Sequence, residues 1–174
     1  MGVTIHWQGT LLGSEAYTAL VSRARSVAAE RGWPIQEIDP IKKTLARVID
    51  EQPVDYEGPT YGIVLWPHPD CEPVRLEFDR DLFTQEYCKT QFAGADVHVE
   101  IVSLLRLLTP YFDSLGVTDE GEYWETGSHE MLTAHIEKIA SILSEMVADD
   151  PKAKSPVVLA SGRVLDFTGS KKRT

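Results

Sequence analysis

The densest cluster of chemically capable side chains lies between residues 119 and 129. Four carboxylates and one histidine fall within these eleven residues, beside two large aromatic side chains. Carboxylate oxygens and imidazole nitrogens are common metal ligands, so Glu122, Glu125 and His129 could converge on a metal ion. A metal site made of these three residues is one hypothesis for this segment.

A second hypothesis for the same segment is a binding surface for another protein. Tyr123 and Trp124 are flat, amphipathic side chains of the kind that protein interfaces favour. A third explanation needs no ligand, because acidic residues are favoured where a turn leads into a helix that Ser128 would cap. We predict a partner-binding site made of Glu122, Tyr123, Trp124, Glu125 and His129.

A row of alternating carboxylates forms the next candidate. Glu77, Asp79 and Asp81 are spaced by two residues, which places them on one face of a strand, opposite Leu76 and Phe78. Adjacent carboxylates can hold a hard cation or share a proton, as in a metal-dependent hydrolase. The simpler interpretation is a solvated sheet face beside two arginines, so these residues are weak metal candidates.

A zinc site is the third chemical possibility. His68 and Cys71 have the spacing of half a zinc site, and thiolate and imidazole are the ligands this ion prefers. The second half does not match, because nine residues separate Cys88 from His98, where structural sites prefer two to four. Two cysteines are also too few for a disulfide framework, so we expect free thiols in a reducing, cytoplasmic compartment.

Several familiar motifs are missing from the sequence. It contains no phosphate-binding P-loop, no dinucleotide-binding glycine fingerprint, no serine-hydrolase elbow and no His-Glu-x-x-His zinc motif. These absences argue against the commonest nucleotide, hydrolase and zinc-protease functions, and no cofactor is predicted. The first residues lack the features of a signal peptide, and no apolar run is long enough to cross a membrane.

The charge of the 174-residue chain is unevenly distributed. Residues 1–150 hold 26 acidic and 11 basic residues, a formal charge of −15, whereas residues 151–174 carry +5. A body this acidic repels phosphate backbones, so we expect no nucleic-acid binding through it. Opposite charge attracts, and a basic protein is therefore the expected kind of partner.

Apolar periodicity predicts the elements that position these residues. Alternation predicts a strand over residues 3–11 and a hairpin of runs 61–66 and 74–79, joined by a proline-rich loop. Two short strands around 35–38 and 44–49, followed by an acidic loop, are weaker predictions. Residues 82–92 are expected to be extended.

Three helices are predicted from apolar residues at helical spacing. The first begins with Ser14 as its N-cap and ends at Gly32, which is followed by Pro34. The second spans residues 96–112 and is apolar over most of its circumference, so it should be central in the core. The third begins after Ser128 and runs to about residue 147.

These elements indicate an α+β fold, with an antiparallel or mixed sheet and about three helices packed mainly on one face. Residues 1–150 are expected to form a single domain, with 151–174 as a basic C-terminal tail or a late strand. We predict a non-enzymatic, acidic interaction or regulatory protein that binds a basic partner protein. Alternatives are a metal-dependent hydrolase that uses a carboxylate cluster and a scaffold domain that self-associates, since the sequence leaves the oligomeric state open.

Overall fold

A computed structural model describes residues 2–150 and 152–169 of the chain. It confirms the α+β class, with antiparallel strands and four α-helices in that part of the chain. The helices are α1 (Ser14–Arg31), α2 (Ala95–Leu108), the single-turn α3 (Tyr123–Thr126) and α4 (His129–Ala148). The strands are β1 (Thr4–Leu11), β2 (Ile35–Glu37), β3 (Lys42–Leu45), β4 (Val48–Ile49), β5 (Gln52–Pro53), β6 (Tyr56–Pro59), β7 (Tyr61–Leu65), β8 (Val74–Phe78), β9 (Phe83–Lys89), β10 (Phe112–Asp119), β11 (Val157–Val158) and β12 (Val164–Leu165).

Two three-stranded antiparallel sheets form the centre of the fold. One has the order β10-β1-β9, and the other has the order β2-β7-β8, which contains the predicted hairpin of β7 and β8. From Ile5 onward β1 alternates: Ile5 and Trp7 face the core, whereas His6 and Gln8 face solvent. The first sheet therefore has one dry face and one wet face.

The core lies on the dry face, under α1 and α2. Its largest fully buried side chains include Trp7, Phe78, Leu20, Ile101 and Leu105. Gly62 lets β7 and β8 approach closely, because a Cβ atom at this position would collide with the carbonyl oxygen of Leu76. Within the described residues, no helix is both long and apolar enough to cross a membrane.

The helix boundaries differ from the sequence prediction in two places. Helix α1 is capped by Gly13 rather than by Ser14, while its C-terminus ends as predicted at Gly32 in a left-handed conformation (φ 69°). Helix α2 ends at Leu108, not at residue 112, because Pro110 has no N–H to continue the helix and a short 3-10 turn follows.

Strand β10 is the one central strand that the sequence analysis did not predict. It starts at Phe112, where the helix was expected to end, and pairs with β1 along its whole length. Gly9 of β1 permits this pairing, because a Cβ atom there would collide with the carbonyl oxygen of Ser114 and crowd the Phe112 ring.

The predicted strand around 35–38 is confirmed as β2, which pairs with β7. The segment after it, predicted as a short strand over 44–49 and an acidic loop, is a long hairpin arm. Strand β3 pairs with β6, and β4 pairs with β5 at the tip. The predicted strand over 44–49 is broken because Arg47 turns inward and is buried (4% exposed), with its guanidinium stacked 4.7 Å from the Phe83 ring. In the predicted acidic loop, Asp50 and Glu51 form the turn between β4 and β5, and Glu57 lies in β6.

Residues 152–169 contain a small hairpin of β11 and β12. Val164 is buried, and its N–H donates to Glu72 (2.8 Å). Arg163 contacts Glu86 (2.9 Å) and stacks 3.8 Å from the Tyr87 ring. The basic residues Lys171, Lys172 and Arg173 lie outside the described residues.

Candidate functional site

The predicted partner-binding residues lie at one end of the sheet, where β10 leads through a tight turn into α3. Asp119 is the last residue of β10 and points into the core. One of its carboxylate oxygens accepts from the Gly121 N–H (2.7 Å), and the other accepts from the Trp124 N–H (2.9 Å). This carboxylate therefore fixes the turn and the start of α3.

Asp119 belongs to a buried polar chain. His98 Nε2 lies 3.0 Å from the Asp119 carboxylate, and His98 Nδ1 lies 2.7 Å from the Thr90 hydroxyl. Because an ionised carboxylate only accepts hydrogen bonds, Nε2 carries the proton. Burial would raise the pKa of Asp119, but the hydrogen bonds from His98, Trp124 and Gly121 outweigh it and lower the pKa below the ordinary value.

Threonine, histidine and aspartate in this order are reminiscent of a nucleophilic triad, but burial argues against that role. Thr90 and His98 are fully buried, and Asp119 is nearly so. Gly121 packs closely against these buried polar groups, since a Cβ atom there would lie 2.5 Å from Leu132 Cδ1 and 3.2 Å from His98 Cε1. No substrate reaches the Thr90 hydroxyl in this arrangement, so the hydrogen-bonded series Thr90–His98–Asp119 stabilises the fold.

The two aromatic residues of α3 are half-buried rather than fully exposed. The Tyr123 ring packs edge-on against His98, with centroids 6.5 Å apart. The Arg106 guanidinium lies over both rings, 5.8 Å from Tyr123 and 5.5 Å from Trp124, and donates to the Trp124 carbonyl (2.7 Å). The Arg106 guanidinium therefore covers part of both rings.

The three residues predicted to bind a metal ion do not converge. Glu122 lies 3.5 Å from His135, and His129 lies 3.0 Å from Asp96. Glu125 is exposed on α3. Across residues 2–150 and 152–169, no group of three or more His, Cys, Asp or Glu side chains is arranged to hold a metal ion.

The predicted carboxylate row is divided by the fold, because β8 ends at Phe78 and only Glu77 lies on that strand. Glu77 is buried and accepts from Lys43 (2.9 Å) and the Thr60 hydroxyl (2.5 Å), and these hydrogen bonds overcome burial to lower its pKa. Asp79 is also buried, accepts from two backbone N–H groups of the following turn and lies 3.5 Å from Arg47. Asp81 lies in that turn and is exposed, so the three do not form one solvated face.

Four buried polar side-chain atoms lack a hydrogen-bond partner within the part of the chain that the structure describes. They are Trp7 Nε1, Arg47 Nε, Arg47 Nη1 and Thr84 Oγ1. Buried groups of this kind are commonly satisfied by internal water. Burial also lowers the pKa of Arg47, and the nearby Asp79 partly compensates for it.

The residues considered for zinc do not form a site. Cys71 and Cys88 are both buried, and the Cys88 thiol donates to the Glu72 carbonyl (2.9 Å). Burial, together with contact with Cys71, raises the pKa of Cys88 well above the usual value, which disfavours the thiolate that zinc requires. Both ring nitrogens of His98 are engaged by Thr90 and Asp119.

Sequence reasoning missed two features of this region. The first is the pairing of His98 with Asp119, although His98 stands on the apolar stripe of α2 with Ile101 and Val102, a position that signals burial. The second is β10, whose alternating Leu115 and Val117 carry a weak strand signal. We refer to residues 112–126, which comprise β10, the turn and α3, as the acidic edge.

The acidic edge is rich in exposed carboxylates. It contains five carboxylates and no lysine or arginine. Asp119 is buried, whereas the other four carboxylates, Asp113, Glu120, Glu122 and Glu125, are exposed. A groove of about 450 Å³ borders it on the wet face of the sheet, beside Gly116, His6 and Tyr87.

Fold and site together define an α+β protein whose open antiparallel sheet ends in an acidic, aromatic-bearing edge. No protein family model, curated protein or solved structure matches the chain. The function is therefore argued from the site alone.

Proposed function

We propose that the chain is a non-enzymatic interaction protein that binds a basic partner protein through the acidic edge. The observation that carries this proposal is the group of four exposed carboxylates there; residues 112–126 contain no lysine or arginine, although Arg106 of α2 lies over Tyr123 and Trp124. Complementary charge steers association and selects the partner more than it sets the final affinity. The same field opposes nucleic acid.

The aromatic pair supports the proposal. Tyr123 packs against His98, and both Tyr123 and Trp124 lie under the Arg106 guanidinium, so contacts within the chain orient the two rings. Preorganised aromatic groups lose little conformational entropy on binding. They also offer the amphipathic surface that interface centres favour.

The buried carboxylates support an interaction role over a hydrolase. A metal-dependent enzyme would need carboxylate oxygens that are free to bind a cation. One carboxylate oxygen of Glu77 accepts hydrogen bonds from Lys43 and Thr60, and one oxygen of Asp79 accepts from the backbone of its own turn. These side chains stabilise the fold, whereas the exposed carboxylates of the acidic edge remain available.

A peptide-binding assay tests the proposal directly. Fluorescence anisotropy would follow labelled peptides of about ten residues, matched in apolar content but basic, neutral or acidic, at about 20 mM and about 150 mM salt. We expect the basic peptide to bind best and to weaken with salt. A triple charge reversal, Glu120→Lys with Glu122→Lys and Glu125→Lys, should weaken it at least about tenfold.

The matched control reverses three exposed carboxylates elsewhere: Glu30→Lys, Asp39→Lys and Glu145→Lys. It changes the net charge by the same amount, so it measures the effect of total charge alone. We expect it to weaken binding by no more than about threefold, because charges beyond a Debye length are screened. Equal losses in both triple variants would contradict a localised site.

A further inference from the structure

The outer edge of β10 is a feature of the acidic edge that is separate from its charge. β10 stands at the end of the order β10-β1-β9, and its inner edge pairs with β1 from Phe112 to Asp119. Among the described residues, no strand pairs with its outer edge. A row of backbone donors and acceptors is therefore open on that side.

The native hydrogen bonds identify which groups are open. The Glu120 N–H donates to the Thr4 carbonyl, which fixes the direction of alternate residues along β10. Gly116 and Thr118 therefore direct their N–H and C=O groups toward β1, whereas Leu115 and Val117 direct theirs outward. Leu115 and Val117 together present two donors and two acceptors that have no partner within the described chain.

This edge lacks the features that usually prevent strands from pairing. Protected edges carry proline, lysine, an inward charge or a bulge. Residues 114–118 contain no proline and no charged side chain. The irregularity between Thr10 and Leu11 affects only the start of β10.

The side chains on both faces of the edge also leave room for an added strand. Leu115 and Val117 are only partly buried, although they pack against the core from the dry face. A neighbouring strand would cover them and stabilise the complex through apolar burial. On the wet face, Gly116 has no side chain and borders the open groove.

We infer that β10 receives an extended, basic segment of the partner protein as an added strand, paired through Leu115 and Val117. The inference rests on the proposed function and specifies how the partner binds. Backbone pairing would supply affinity, and lysine or arginine side chains of the segment would meet Asp113 and Glu120 at the two ends of the strand. A second copy of this chain fits less well, because it would bring the same carboxylates and a net charge of −10.

Residue-resolved amide hydrogen exchange tests the inference on the unmodified protein. The probe is a peptide of about ten residues that alternates lysine and valine, which favours an extended chain. We expect the Leu115 and Val117 amides to exchange quickly without peptide and at least about tenfold more slowly with it. The Gly116 and Thr118 amides should be protected in both states. Fast exchange at Leu115 and Val117 in the saturated complex would overturn the inference.

The same peptide with its central amides N-methylated separates this inference from the proposed function. Methylation keeps every charge but removes the donors that a strand needs. We expect an affinity loss of at least about tenfold. Equal, salt-sensitive binding of both peptides, lost in the acidic-edge charge reversal, would leave the proposed function standing and refute strand addition. Binding of neither peptide would count against both.

A proline substitution tests the edge from the side of the protein. Val117→Pro removes an outward N–H that β1 does not use, and edge strands tolerate proline at such a position. Ile35→Pro is the control, because Ile35 occupies the outward-facing position of edge strand β2 in the other sheet. We expect only Val117→Pro to weaken the peptide, by about tenfold. Protection of Leu115 and Val117 in peptide-free protein, together with a dimer in sedimentation, would instead identify a second copy as the occupant and overturn the inference.

Discussion

Two groups of carboxylates share this molecule and have opposite surroundings. Asp119, Glu77 and Asp79 are buried and accept hydrogen bonds from backbone N–H groups or from neighbouring side chains. Glu120 and Glu125 are exposed, and neither has a side-chain partner within residues 2–150 and 152–169. Each of these carboxylates contributes one negative charge to the formal charge of the chain, yet only those of the second group are available to another molecule.

The difference shows that position, not composition, assigns a carboxylate its role. Removing charge from water is costly, so a buried carboxylate survives only where donors replace the lost hydration. Asp119 meets this requirement with His98 and two backbone N–H groups, and it thereby holds α3 in place. The exposed carboxylates do no such structural work and instead create a field around the acidic edge.

Asp119→Asn should break the buried group most strongly. The amide nitrogen of asparagine would face either the Gly121 N–H or the N–H groups of Trp124 and His98, and in each orientation two donors oppose one another. We expect the free energy of unfolding to fall by about 3 kcal/mol or more, measured by urea denaturation.

The control for Asp119→Asn is Asp96→Asn. Asp96 also lies 3.0 Å from a histidine, His129, but its side chain is 96% exposed. We expect this substitution to change the free energy of unfolding by less than about 0.5 kcal/mol. Similar losses in both variants would mean that burial does not distinguish the two pairs.

Acid titration gives a smaller effect that sharpens the same comparison. The pKa values of Asp119 and Glu77 are lowered in the folded protein, because their hydrogen bonds outweigh burial. Their contribution is therefore fully present above the unfolded pKa of about 4 and is lost as the pH falls through the lower, folded pKa values. We expect the free energy of unfolding to fall with pH below about 4, and the slope to be shallower in Asp119→Asn. An equal slope in both proteins would contradict the lowered pKa of Asp119.

The sequence predicted the fold class more fully than it predicted this division of roles. The alternation in β1 and the apolar stripe of α2 are patterns among neighbouring residues. The sequence therefore predicted both elements and their buried faces. The role of Asp119 depends on His98, which lies 21 residues away along the chain, and no local pattern encodes that contact. Strand β10 was missed because Leu108 and Phe112 continue the helical spacing of α2, although Pro110 ends the helix between them.

The candidate site shows the same limit. The density of charged and aromatic residues marks residues 119–129 in the sequence. The partner-binding role of Glu122, Tyr123, Trp124, Glu125 and His129 stays a prediction. The open edge of β10 depends on which strand lies last in the sheet. Strand order follows from pairing between distant segments, and a single sequence does not record it.

The smallest expected effect belongs to the exposed group. Glu125→Gln removes a charge that lies near Glu120 and Glu122 and has no side-chain partner in the described part of the chain. Relief of repulsion should raise the free energy of unfolding by a few tenths of a kcal/mol at low salt, and the gain should disappear at about 1 M salt, where screening is strong. The same variant should slow the association of the basic peptide, measured by stopped-flow anisotropy, because each lost charge weakens steering. A loss of more than about 1 kcal/mol in stability would show that the Glu125 carboxylate holds α3, and would move it into the group that includes Asp119.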